Sequence, residues 1–396
     1  MPLQTRPFLV VYIAWHPAFQ RGKEIAKHLF DHYRREHFGN IAGGAGLSVI
    51  YRYASDPATG APLSIDFEEG ETSAVVVLFD DEFSKSDEYM EWLEAVSLSS
   101  ENCGMRSMVF PVAMDASLTK SGVSEQAVRW DRWSDIQDPQ IKLQKLTTDL
   151  TYQFSRMLRS YLECLRRPLT EDEELLGYLQ KVQIFLSHSK HDGDGERIAK
   201  AVREALYDAQ GLGSFFDVKD IPTGTRFDRV LLAQVRVSAV VAIHTDSFSS
   251  REWCRREIIE AKRYNVPLVV ANCIQDADER GFPYMGNVPL VRMEPNLMDR
   301  IDNIVGRLLD EVLKDFLWRC RLETVRRDGI EEAVFLPRPP ELISLAGLNC
   351  DAQSEVTLVY PDPPIGSEEQ RLFEIIAPLV KLRSITEWIA QSGVQT

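Results

Sequence analysis

Short, unbroken apolar runs alternate along this chain with longer amphipathic stretches. Phe8–Trp15 (FLVVYIAW), Val75–Phe79 and Met108–Met114 (MVFPVAM) are such runs in the first half; Val240–Ile243 and Pro267–Cys273 (PLVVANC) are their counterparts further on. They are rich in valine and show no polar alternation, the pattern of strands covered by helices on both faces. The stretches between them have helical spacing. Strands joined through helices give parallel sheets with right-handed crossovers. Ligands in such sheets sit beyond the carboxyl ends of the strands, which selects the loops after Leu186, Phe216 and His244.

The pattern occurs twice. Phe8–Leu29 resembles Val182–Val202: each is an apolar run, a polar loop with His and Gly, then a helix opening through Ile-Ala-Lys. Ser73–Val96 resembles Ser238–Lys262 in the same way, and each is followed by a further apolar run. Two copies of one α/β unit is the natural reading. Between them, Gln140–Leu179 reads as helix, with Leu143, Leu146, Leu150, Phe154, Leu158 and Leu162 near helical spacing and a break at Pro168. Thr170 and Glu173 fit a capping box that starts the second helical piece. A helix over Leu297–Leu322 closes the second copy. Beyond it come a Pro-rich segment (PRPPEL), a strand over Val356–Tyr360, a turn at PDPPIGS and a helix from about Ser367. The expected division is residues 1–150, a helical connector at 151–180, a second α/β domain at 181–325 and a small α/β appendage at 326–396.

Composition narrows the function. With 396 residues the chain is too long for one core, and its net charge of −15 argues against nucleic acid or an anionic membrane surface as the main partner. Two arginine sets (Arg156, Arg159, Arg166, Arg167 and Arg319, Arg321, Arg326, Arg327) read as solvated helix faces. The six cysteines are scattered without C-x-x-C or zinc spacing, which fits reduced, mostly buried thiols in a cytoplasmic protein. The first apolar run is too short to span a bilayer, so no membrane association is expected. There is no Walker A pattern, no Gly-x-Gly-x-x-Gly after a strand and no Gly-x-Ser-x-Gly elbow, and the glycines of Ile41–Leu47 are wrongly spaced for phosphate binding.

The second copy resembles a bacterial TIR (Toll/interleukin-1 receptor) domain through four segments in the right order. They are Ile184-Phe-Leu-Ser-His-Ser-Lys-His-Asp192, Phe215-Phe-Asp-Val-Lys-Asp-Ile-Pro-Thr-Gly224 with its BB loop, the central strand from Ser238, and Ser249-Ser-Arg-Glu-Trp-Cys-Arg-Arg-Glu257. The last departs from the family pattern in carrying Arg251 where a serine is usual. The resemblance implies two flavodoxin-like parallel-sheet units of TIR type in tandem, followed by the appendage. In the NAD-cleaving branch of the family it implies scission of the nicotinamide–ribose bond, with Glu257 as the catalytic carboxylate. It further implies that Trp253, Ser187, His188, Ser189, Asp217 and Lys219 border the dinucleotide. NAD⁺ is then substrate, and no metal or cofactor is required.

Trp253 and Glu257, four residues apart, share one helix face. A carboxylate there suits the chemistry, because loss of neutral nicotinamide leaves an oxocarbenium-like ribosyl cation. In the first copy the aligned positions are Glu88 and Trp92, or Tyr89 and Leu93 in the adjacent register, and its loop reads Ala14-Trp-His-Pro-Ala. Residues 1–150 therefore read as a degenerate TIR-like unit for assembly or sensing, with Glu82, Asp87 and Glu91 as solvated acids. The resemblance implies a regulated effector in bacterial immunity, self-associating through TIR surfaces and triggered by another defence protein or a nucleotide signal. The alternative is an adaptor that signals by TIR–TIR assembly without turnover.

Overall fold

A computed structural model describes residues 6–34, 46–123, 125–190, 193–208, 213–215, 227–294, 298–327, 333–346 and 355–391. The chain divides into two compact units, Thr5–Leu179 and Gln180–Thr396.

The first unit runs β1 (Leu9–Trp15), α1 (Gly22–Tyr33), β2 (Ser48–Arg52), β3 (Thr72–Phe79), α2 (Asp81–Lys85), α3 (Asp87–Glu101), β4 (Ser107–Ala113), α4 (Pro139–Arg166) and α5 (Glu171–Leu179). Its described strands form an all-parallel sheet in the order β2-β1-β3-β4. β1 and β3 are buried along their whole length, as their unbroken apolar runs require, whereas the edge strand β2 is only half buried. Asp138 caps α4 by accepting from Gln140 N, with Pro139 at the first helical position. Leu143, Leu146, Leu150, Phe154 and Leu158 then line the buried stripe. The Thr170–Glu173 capping box forms: Thr170 N donates to Glu173 Oε2 at 2.9 Å and Glu173 N to Thr170 Oγ1 at 3.3 Å.

Two features of this region differ from the sequence reading. The division expected at 150 falls inside α4, and the first unit continues to Leu179 because α5 packs back on α4. Arg156 and Arg159 are partly buried and do not simply face solvent. Arg156 Nε donates to Tyr178 O at 2.8 Å and Arg159 to Gly177 O at 2.8 Å, so they satisfy the carbonyls that end α5.

The second unit runs β5 (Val182–His188), α6 (Gly193–Asp208), β6 (Gly213–Phe215), α7 (Phe227–Val235), β7 (Ala239–His244), α8 (Glu252–Arg263), β8 (Leu268–Asn272), β9 (Leu290–Arg292) and α9 (Ile301–Arg327). Its described strands are all parallel in the order β6-β5-β7-β8-β9, the doubly wound, flavodoxin-like arrangement. The same chain path recurs in both units. Phe83 and Phe248, each four residues past the end of β3 or β7, are fully buried. Met114 N donates to Phe79 O at 2.9 Å, and Cys273 N to His244 O at 2.8 Å.

The appendage adds β10 (Ala333–Phe335), α10 (Leu342–Leu345), β11 (Val356–Tyr360), α11 (Ser367–Ile376), β12 (Val380–Ser384) and α12 (Ile385–Gln391). Its sheet is again parallel, in the order β10-β11-β12. The chain is thus two flavodoxin-like units in tandem with a small C-terminal α/β part. α9 serves two cores. It lies on β7 and β8, where Ile304, Leu308, Leu309 and Leu313 are fully buried. Its last turns put Trp318, Leu322 and Val325 against Val359, Ile385 and Trp388 of the appendage. Cys254, Cys273 and Cys320 are buried, and Cys103 and Cys164 are partly buried. Cys350 lies outside the described residues. Among the described residues no helix is long and apolar enough to cross a membrane.

Candidate active site

In a sheet of this order the crevice opens where the chain reverses direction, between the carboxyl ends of β5 and β7. α8 begins just beyond β7, after a 3₁₀ turn over Phe248–Ser250 that the buried Phe248 pins to the core. Its N-cap residue, Arg251, makes no side-chain cap, so the helix starts without the hydroxyl that a serine would have offered. The inward stripe of α8 is Cys254, Glu257, Ile258 and Ala261, the usual i, i+3, i+4, i+7 spacing with an acid at the second position.

That acid is the centre of the site. Glu257 is only 7% exposed, and Ser187 Oγ, itself 1% exposed, donates to its Oε2 at 2.5 Å. Ser187 is the penultimate residue of β5, so the bond joins α8 to the carboxyl end of the neighbouring strand. Burial pushes the Glu257 carboxyl up to about 7, opposed by the Ser187 hydrogen bond and by the nearby Lys190 ammonium.

The other sequence-selected residues are placed less uniformly. Ser189 is buried and accepts from Ser247 Oγ at 2.9 Å, which ties the loop after β5 to the loop after β7. The half-buried His188 has Nδ1 3.3 Å from Leu186 O, a contact within its own strand. Trp253 stands at the open end of the helix face it shares with Glu257: it is 38% exposed, and the Arg256 guanidinium lies 4.4 Å from its ring centre. Asp217 and Lys219, with the rest of the BB loop including Pro222 and Gly224, lie outside the described residues.

One cluster was not singled out in the sequence. His244 Nε2 lies 3.1 Å from both Ser249 Oγ and Asp278 Oδ2, and Ser249 Oγ donates to the same Asp278 oxygen at 3.0 Å. Beside it, Asp246 accepts from the backbone amides of Gln275 and Asp276. These contacts fasten the loop after β8 to the turn that launches α8. The only signal was the position of His244 at a strand end, since Asp278 belongs to no recognisable spacing.

The first unit fills the same place differently. Tyr89, Trp92 and Leu93 of α3 are all buried in its core, and Glu88 is exposed. Glu82, Asp87 and Glu91 are exposed as well.

A flavodoxin-like unit with a buried carboxylate at its switch point is the class this geometry defines. A family model for the TIR domain matches residues 184–295, a segment that contains Ser187, Trp253 and Glu257. The chain therefore carries a TIR domain there. No curated protein matches the sequence.

Proposed function

We propose that the TIR domain is an NAD⁺ glycohydrolase, with Glu257 as its catalytic carboxylate. One observation carries the reading: a glutamate is buried beside the carboxyl end of β5 in a TIR domain, and a serine hydroxyl donates to it. A buried carboxyl costs stability and is kept where function needs it, and one displaced to about 7 at the strand ends of such a sheet is the kind of group that does chemistry.

In the reaction the glycosidic C–N bond breaks and its electron pair leaves with neutral nicotinamide. The ribosyl cation left behind develops its charge close to a carboxylate that water screens poorly. The positive nicotinamide ring of arriving NAD⁺ itself favours the ionised form of Glu257. Attack by water then gives ADP-ribose and a proton, and attack by a ring nitrogen of the adenine gives a cyclic product. Trp253, at the exposed end of the same face, is the proposed ring contact. Ser189 and His188 border the loop, and Asp217 and Lys219 are proposed to complete the site from the BB loop.

In this reading the chain is a regulated effector in bacterial immunity. The first unit is a degenerate TIR-like copy for assembly or sensing, self-association through TIR surfaces accompanies activation, and another defence protein or a nucleotide signal supplies the trigger. A second reading, an adaptor that assembles without turnover, draws on the same burial, because a carboxyl 7% exposed offers substrate little access at rest.

The deciding experiment is nicotinamide release from NAD⁺ by the purified chain over a range of protein concentrations, beside Glu257→Ala. The enzyme reading expects a loss of about 10³-fold or more in the variant. Equal cell toxicity of wild type and Glu257→Ala, with no turnover in either, would establish the adaptor.

A further inference from the structure

The last turn of α8 carries a buried lysine. Lys262 is 5% exposed at its side chain, and its ammonium makes three short contacts: Gly286 O at 2.6 Å, Glu341 Oε1 at 2.6 Å and Glu341 Oε2 at 2.7 Å. Glu341 belongs to the appendage, where it is the N-cap residue of α10 and shares a capping box with Ser344. α10 packs on α8. Three residues before Glu341, the Arg338 guanidinium lies 3.7 Å from Glu311 on α9. The Pro-rich segment Pro337–Glu341 therefore works as a strap, fixed to α9 through Arg338 and to α8 through Glu341.

A buried ammonium is tolerated only when its protons are all engaged and a carboxylate faces it. Burial alone would lower the affinity of Lys262 for its proton, and the Glu341 carboxylate opposes that. Losing one partner strands a charge in the interior, so the pair fixes α8 to the appendage far more firmly than surface ion pairs fix their helices. Glu257 lies five residues before Lys262, about 7.5 Å along the same rigid helix. Its 2.5 Å bond to Ser187 leaves little room for the helix to slide.

We infer that Lys262 and Glu341 are positioning residues, through which the C-terminal appendage holds α8 in the register that keeps Glu257 against Ser187. The catalytic part of this inference rests on the NAD⁺ reading above; the structural part does not. The appendage is on this view a component of the site and not a separate passenger.

The test uses the full chain as wild type, Glu341→Gln, and the double variant Lys262→Met with Glu341→Met. The double variant removes both charges while keeping an apolar contact. Hydrogen exchange of residues 252–263 and the kinetics of NAD⁺ cleavage are read together. Glu341→Gln is expected to speed α8 exchange about tenfold or more without changing α4 of the first unit. It is expected to lower kcat roughly ten- to a hundredfold with KM within about twofold, because the carboxylate is displaced and binding contacts are not. The double variant is expected to recover most of both. Glu368→Gln, an exposed acid of the same appendage, serves as the unaffected control. Should Glu341→Gln fail to fold, Lys262→Arg takes its place, since a planar guanidinium cannot reproduce three short contacts at one nitrogen.

Unchanged α8 exchange, an equal increase in α4, or a rise in kcat would each overturn the inference. If wild type cleaves no NAD⁺, the exchange result alone decides whether the strap holds α8, and the toxicity comparison above decides the enzyme reading.

Discussion

α3 and α8 follow the third described strand of their respective sheets and bury the same side against it, yet they spend that side differently. α3 commits Tyr89, Trp92, Leu93 and Val96 to the core of the first unit. α8 has Cys254, Ile258 and Ala261 at inward positions, and between them a carboxyl that burial has pushed to about 7. The aromatic helix is what a fold optimised for packing produces. The helix with the acid gives up packing and solvation at one position, a cost that fits the catalytic role proposed for Glu257. Both sheets reverse direction at the same place, and what differs is the acid beside it: in the first unit the buried Asp80 accepts from Phe83 N as the N-cap of α2, whereas in the second Glu257 on α8 accepts from Ser187 Oγ.

The comparison can be sharpened from both sides. Beyond the loss of turnover expected for Glu257→Ala, the largest effect should come from Trp92→Ala. Emptying that aromatic site should cost the first unit about 3–5 kcal/mol, read as faster hydrogen exchange in α3 and β4.

Glu257→Gln tests the cost of the buried acid. The folded carboxyl titrates near 7 against 4.5 when free, so between those values the native state holds more protons than the unfolded chain. Wild-type stability therefore falls as pH rises through that window, by roughly 3 kcal/mol at about 1.36 kcal/mol per unit. The amide variant lacks the penalty and should unfold at a higher temperature than wild type at pH 8, with the gap closing toward pH 5. A constant gap across that range would show that the carboxyl is not displaced.

Ser187→Ala should act in the opposite sense on ionisation. It removes a hydrogen bond that favours the carboxylate, so the acid limb of the kcat profile should move alkaline by about one unit, up to about tenfold in rate below it. Glu88→Ala, at the aligned and exposed position of α3, should leave turnover unchanged and stability within about 0.5 kcal/mol.

Much of the architecture was legible because it is written locally. β1, β3 and β7 are continuous apolar runs, and the structure buries every residue of them. The Thr170–Glu173 box lies within one helical turn and forms as read. The edge strands β2 and β9 were not legible, since half-polar or very short segments offer no period to count. Arg156 and Arg159 looked like a solvated face because their partners are carbonyls at the end of another helix, which sequence spacing does not reveal.

The site divides in the same manner. Glu257 stood out through a motif and an inward helical position. Its bond to Ser187 spans 70 residues and the Lys262–Glu341 pair spans 79, distances at which no local pattern operates.

The double duty of α9 bears on where this protein can be cut. The recognisable TIR segment stops at residue 295, before the helix that covers β7 and β8 has begun. A fragment trimmed to that segment would keep α6 but strip α9 from β7 and β8. One ending after Arg327 would keep the cover and instead present Trp318, Leu322 and Val325 to water, side chains that the appendage otherwise shelters. Either product invites aggregation, so the stretch by which the domain is recognised is shorter than the stretch that can stay dissolved.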